Sequence, residues 1–141
     1  MSDTDPQQIR GIRNNNPGNL DQGIAWDGLT NPQTDPRFCT FTTPQYGIRA
    51  LAKTLIAYQQ LHGLNTIRGI INRWAPPVEN DTSAYVTNVS KRTGISPDTK
   101  IDVTSRGICT GLVEAIIRQE CSDYTYPTAI VDEALTMAGV A

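Results

Sequence analysis

From Thr43 onward the apolar residues return every third or fourth position, in runs opened by a capping residue and closed by glycine or proline. No other feature restricts the chain as much, because a 3.6-residue period buries one face of a helix and cannot pack as a strand. Thr43 caps a helix with Pro44 at its first position. Ile48, Leu51, Ala52, Leu55 and Ile56 form its apolar stripe, Arg49 and Lys53 turn away, and Gly63 ends it. Asn65 or Thr66 caps the next helix, whose stripe is Ile67, Ile70, Ile71 and Trp74, and Ala75-Pro76-Pro77 stops it. Asn80 or Asp81 caps a third, with Tyr85 and Val89 on one face and its end at Gly94. Past the loop ISPDTKID the spacing predicts a long helix from about Thr104 to Cys121 and a short one from about Pro127 to Met137.

The front of the chain reads differently. Between Asn14 and Pro36, Pro, Gly, Asn and Asp recur at short intervals, which predicts turns and short strands. RFCTFT, Arg37 to Thr42, is a short strand or extended segment. The expected fold is therefore mainly α (α+β), with about five helices and a small irregular N-terminal β region. Residues 1–9 are expected to be flexible and residues 10–141 to form one domain. No βαβ alternation and no GxxxxGK[ST] motif is present, which argues against a Rossmann-type or P-loop protein.

Composition excludes several classes. A chain of 141 residues with 38% hydrophobic and 18% charged content buries a real core and is too apolar to be disordered. The net charge of -2 and pI near 5.2 argue against a nucleic-acid partner. No apolar run approaches the ~20 residues of a membrane span. The polar, acidic start MSDTDPQQIRG does not read as a signal peptide, so synthesis in a cytoplasm is expected. Cys39, Cys109 and Cys121 lack CxxC spacing and read as small semi-buried hydrophobes, with neither a disulfide framework nor a metal site implied. The single histidine, His62, sits in the last turn of a predicted helix, where a structural role is expected. It leaves a Ser/His or Cys/His hydrolase with one available base.

Among the acids, Asp21, Asp27 and Asp35 belong to the turn-rich front, and Asp81, Asp98, Asp102 and Asp123 fall in loops or near helix starts. On the long helix, Ile108, Leu112, Val113, Ile116 and Ile117 centre on one direction at about 100° per residue. Glu120 lies within roughly 30–40° of that centre and Glu114 about 150° away, on the solvent side. Burial and the negative end of the helix both favour a neutral acid at the Glu120 position. A neutral carboxylic acid beside a core is what protonation of a glycosidic oxygen requires. Alternatively, Glu120 bends out to solvent or pairs with Arg118 or an N-terminal arginine. Glu79, just ahead of a predicted helix start, is the second candidate, and simple dipole compensation also explains it.

The segments RGIRNNNPGNL, WDGL and RWAPPVENDTSAYV, continuing through VEAIIRQE, resemble a family of small phage virion structural proteins or lysins of lysozyme-like type. More distantly, NPGNL, Trp26-Asp27-Gly28, RFCTF and TPQYGIRAL are similar to the Asn-Leu turn, Trp-x-Gly, aromatic strand and following helix of flagellar and autolysin-type β-N-acetylglucosaminidases. APPVENDTSAYV loosely mirrors their tyrosine segment, with Tyr85 in the tyrosine's place. The helix carrying the catalytic glutamate is missing from the front, and LVEAIIRQE resembles it at the back. Glu120-Cys121-Ser122 stands where the usual Glu-Ser-Gly would be. The resemblance implies a circularly permuted lysozyme-like domain.

It further implies a phage-encoded peptidoglycan glycosidase (muramidase, glucosaminidase or lytic transglycosylase) acting on β-1,4 glycan bonds without a cofactor. Glu120 would be the acid, and Tyr85 would stabilise the oxocarbenium ion or position the substrate. Asn15, Asn16, Asn19 and Trp26 would line the groove or pin its wall, since amides bond sugar hydroxyls and an indole stacks on a sugar face. Glu79 would activate water; without a second carboxylate, an intramolecular transglycosylase route is implied. The implied partner is bacterial peptidoglycan in the periplasm, reached with a holin-type protein during lysis or with virion proteins in the particle. The alternatives are a non-catalytic virion structural or peptidoglycan-binding protein, and an amidase or peptidase pairing a cysteine with His62.

Overall fold

The computed structural model describes residues 5–78 and 80–141. Among them, a 3-10 turn at Pro6–Gln8 precedes six α-helices: α1 (Arg10–Arg13), α2 (Pro44–His62), α3 (Ile67–Trp74), α4 (Thr82–Thr93), α5 (Arg106–Glu120) and α6 (Thr128–Met137). The fold is mainly helical, and the helix ends obey the capping chemistry. The Thr43 hydroxyl accepts from the Tyr46 N–H at the start of α2, and Gly63, at φ 65°, closes it in the left-handed region. Thr66 rather than Asn65 caps α3, accepting from Gly69 N at 3.1 Å. Asp81 rather than Asn80 caps α4, accepting from Ala84 N at 3.1 Å.

The stripes meet as their periodicity demands. α2 packs along α6, α4 lies against both α3 and α5, and α5 also touches α2 and α6. Ile48, Leu51, Leu55, Ile67, Ile70, Ile71, Leu112, Ile116, Ile117 and Leu135 are fully buried in one core. Burial of each contributes about 1.5–3 kcal/mol relative to exposure. Ile56 and Ile108, at the margins of their stripes, are only partly buried. Among the described residues, no helix is long and apolar enough to cross a membrane.

The expected β region is reduced to two isolated antiparallel bridges, Asp21 with Phe38 and Leu29 with Phe41, among the described residues. The reason is competition by side chains for the backbone. Gln33 donates to the Thr30 and Thr40 carbonyls, both at 2.9 Å, and accepts from Thr40 N at 2.8 Å, as a partner strand would. Gln22 donates to the Asp35 carbonyl at 2.6 Å. Beneath this layer a small second cluster joins Cys39, Phe41 and Ala50 to Leu20, Trp26, Leu29 and Tyr46.

Two devices fasten the front to the helices. The first is the buried Asp35 carboxylate, which accepts from Arg10 Nε at 2.8 Å, Arg10 Nη2 at 2.6 Å and Asn14 Nδ2 at 2.9 Å. It also accepts from the Arg37 and Phe38 backbone N–H groups, both at 2.9 Å. The Arg10 guanidinium, helped by these N–H donors, holds Asp35 far below the usual carboxylate range against the opposing cost of burial. The second is a close crossing at Gly47, where a Cβ would stand 1.8 Å from the Asn15 carbonyl oxygen.

Gly47→Ala is therefore expected to destabilise the fold by about 2–3 kcal/mol, read from denaturant unfolding. Asp35, depressed in the folded state, contributes stability above the ordinary carboxylate range and loses it as pH falls through and below about 4. Thermal melts of Asp35→Asn should show lower stability at neutral pH and a shallower decline between about pH 5 and pH 2 than the wild type.

Candidate active site

The segment from Gly11 to Asp21 builds one wall of an open cleft, and each asparagine in it has a separate task. Asn14 is buried; its carbonyl accepts from Phe41 N at 2.9 Å while its amide reaches Asp35. Asn15, at φ 52°, donates to the Phe41 carbonyl at 3.0 Å. Asn16 is 0% exposed, donating to the Leu20 and Cys39 carbonyls at 3.0 and 2.9 Å and accepting from Leu20 N at 3.0 Å. Asn19, at φ 50°, donates to Glu120 Oε1 at 3.0 Å. The left-handed backbone at Asn15 and Asn19 is a conformation that asparagine adopts at lower cost than most residues.

Close packing completes the wall. A Cβ at Gly18 would meet the Trp74 ring at 3.2 Å and Leu51 at 3.3 Å, and one at Gly11 would meet Cys121 Sγ at 2.8 Å. The Cys121 thiol in turn donates to the Pro17 carbonyl at 3.3 Å. The C-terminal end of α5 is thereby pressed into the asparagine turn.

Glu120 is the last residue of α5 and is half-buried. It pairs with neither Arg118 nor an N-terminal arginine. Oε1 accepts from Asn19, and Oε2 accepts from the Tyr85 hydroxyl at 2.8 Å. Tyr85 OH accepts from Trp74 Nε1 at 3.0 Å, so a chain of hydrogen bonds runs Trp74 to Tyr85 to Glu120. Burial, followed by the neighbouring Glu120 charge, raises the Tyr85 phenol far above its ordinary range, so it stays a donor at any neutral pH. α3 and α4 bring these groups together because the Thr82 hydroxyl donates to the Ala75 carbonyl across the connection between them.

The cleft has a volume of about 510 Å³. Gly18, Asn19, Leu20 and Asp21 form one side with Arg37 and Phe38; Thr54 and Tyr58 come from α2, Trp74 and Ala75 from the end of α3, and Asn80 and Glu120 complete the lining. Of the residues expected in the site, Glu120 and Asn19 are together on this surface. Two expectations are corrected, those for Tyr85 and Trp26. Tyr85, 4% exposed, does not line the cleft; it stands behind Glu120 and orients it, because its hydroxyl is committed to that carboxylate. Asn15 and Asn16 take the second of their two expected roles: their amides bond backbone groups and pin the wall without facing the cleft. Trp26 packs into the second cluster over Cys39 and Phe41 rather than onto the cleft. Glu79 lies outside the described residues.

Sequence reasoning missed Asp21, Arg37, Phe38, Tyr58 and the cleft face of Trp74. Asp21 carries only a turn signal in its own neighbourhood; it reaches the cleft because its backbone bridges to Phe38, seventeen positions on. The thiol reading loses its nucleophile. Cys39, Cys109 and Cys121 are all buried, and burial pushes the Cys109 thiol up to about 11 and Cys121 to about 12. His62 is exposed at the end of α2.

No family model matches this sequence. It is 41% identical over 130 residues to "Protein P5" of Pseudoalteromonas phage PM2, the alignment covering 86% of this chain and 80% of that protein. The chain belongs to the Protein P5 family. The P5 relative is a phage protein, which gives the chain a phage connection, and its name states no reaction. In this P5-family chain, Tyr85→Phe removes the donor to Glu120 and the acceptor of Trp74 Nε1 at once. It should cost about 1–3 kcal/mol of stability, measured by urea unfolding.

Proposed function

We propose that this chain is a phage-encoded peptidoglycan glycosidase with a circularly permuted lysozyme-like fold, and that Glu120 is its general acid. The observation that carries the reading is the position of Glu120. A half-buried carboxyl ends a helix, each oxygen is held by one side-chain donor, and the group lines an open polar cleft. Fixed orientation of this kind is what a proton donor to a glycosidic oxygen needs. As the C–O bond to the leaving sugar breaks, Glu120 supplies the proton and the ring carbon takes on oxocarbenium character. The Tyr85 hydroxyl fixes the carboxyl plane from behind. Tyr58 and Trp74 offer aromatic surface for sugar rings, and Asn80 offers an amide.

The permuted reading is supported by contacts around α5. Cys121, which caps its C-terminus, meets Gly11 and Pro17, so the helix, its glutamate and the Asn-rich turn are neighbours in space, although Glu120 comes about a hundred residues after Asn19 in the chain. Action on the sacculus during infection would place the chain among virion proteins. Action at lysis would need a separate membrane-permeabilising protein of holin type.

Glu120→Gln keeps the shape of the side chain and removes the proton. Turbidity loss and zymography on purified sacculi should show a fall in activity on the order of 100- to 10,000-fold with unchanged circular dichroism. Full activity in this variant overturns the assignment of the acid. Sacculus binding by the wild type without any solubilisation supports the non-catalytic alternative instead.

A further inference from the structure

Two carboxylates line the cleft among the described residues, Glu120 from the end of α5 and Asp21 from the opposite part of the chain. We propose that Asp21 is the second catalytic carboxylate, a general base that activates water, so that the reaction is hydrolysis rather than intramolecular transglycosylation. This rests on the reading of Glu120 as the acid.

The placement of Asp21 is specific. Its backbone is pinned on both sides: Cys39 N donates to Leu20 O at 2.9 Å, Gln22 N donates to Arg37 O at 3.0 Å, and the Cys39 thiol donates to Asp21 O at 3.4 Å. Its side chain, by contrast, is 64% exposed. Arg37 Nε donates to Oδ1 at 2.9 Å, and among the described residues nothing bonds Oδ2. The Arg37 guanidinium is itself held over the Phe38 ring, 4.8 Å from its centroid, so the ion pair is braced along the cleft wall. One carboxylate oxygen is thus anchored and the other is left open to water. Other acids of the described chain are spent elsewhere: Asp27 pairs with Arg49 at 3.2 Å, Asp35 is buried in the Arg10 clamp, and Asp81 caps α4.

The step balances without a further reactant. Water attacks the anomeric carbon as Asp21 takes one of its protons; the glycosidic C–O bond breaks, and its electron pair leaves on the oxygen that receives the Glu120 proton. One water is added across the bond, leaving Glu120 deprotonated and Asp21 protonated until solvent restores both. A transglycosylase needs no such group, because a hydroxyl of the sugar closes the ring.

The test is muropeptide mass spectrometry and steady-state kinetics on sacculi in H₂¹⁸O, with wild type, Asp21→Asn and Asp21→Gly. We expect reducing ends carrying one ¹⁸O from the wild type, and a kcat about 100-fold lower in Asp21→Asn at little-changed KM. We also expect partial rescue of Asp21→Gly by azide with formation of a glycosyl azide. Wild-type products with 1,6-anhydro ends overturn the proposal, as does an Asp21→Asn that keeps wild-type kcat. Either outcome leaves Glu120 as the acid. A wild type that solubilises nothing overturns this proposal and the glycosidase reading together.

Discussion

The packing of the Gly11–Asp21 segment against the last turn of α5 is the contact on which both the cleft and its carboxylate depend. Three interactions make it: the missing side chain at Gly11 beside Cys121 Sγ, the Cys121 thiol on the Pro17 carbonyl, and the Asn19 amide on Glu120. The two hydrogen bonds join residues 104 and 101 positions apart. Were the turn to lift away, Glu120 would lose one of its two donors and the cleft one of its walls. The thiol is part of this seam, which explains why a cysteine with no partner for a disulfide sits there fully buried.

The front of the chain solves a problem that helices solve internally. A segment too rich in proline, glycine and asparagine for regular ladders still has to satisfy its backbone groups. Side-chain amides do so: Asn15, Asn16, Gln22 and Gln33 bond carbonyls or N–H groups that strands would otherwise pair. An unmet buried polar group costs about 1–3 kcal/mol, so these amides take the place of the ladder bonds a short sheet would supply. Asp35 acts in the same way with a charge, gathering Arg10, Asn14 and two backbone N–H groups onto one carboxylate. The same use of amides explains why a run of asparagines that looked fit for a ligand is mostly turned inward.

Much of the helical architecture was legible because caps and periodicity are local. Thr43, Pro44 and Gly63 bound α2 as written, and the apolar stripes fell on the core. Glu120 was legible too, since helical geometry alone turns it toward the apolar side. Its partners were not. Tyr85 and Trp74 read as core positions by spacing, and only the meeting of α3, α4 and α5 shows that their polar ends form a chain to the carboxyl. Trp26 has the composition of a sugar platform but is drawn into the cluster over Phe41. Asp21 was set aside as a turn residue, because nothing near it in sequence reveals that Phe38 and Arg37 carry it to the cleft.

Sequence alone determined the helices from α2 onward and, within a residue or two, their ends, together with the polar front and the one glutamate on an apolar helix face. Each of these follows from interactions within about four residues, where period and capping chemistry act. Tertiary structure decided which asparagine meets the glutamate and which are consumed by backbone. It also decided that the tyrosine stands behind Glu120, and that a second carboxylate shares the cleft. Those outcomes hang on contacts such as Asn19–Glu120 and Tyr85–Glu120, which span 101 and 35 positions. No local propensity encodes them; they exist only once the core has brought α3, α4 and α5 together and closed the asparagine turn over the end of α5.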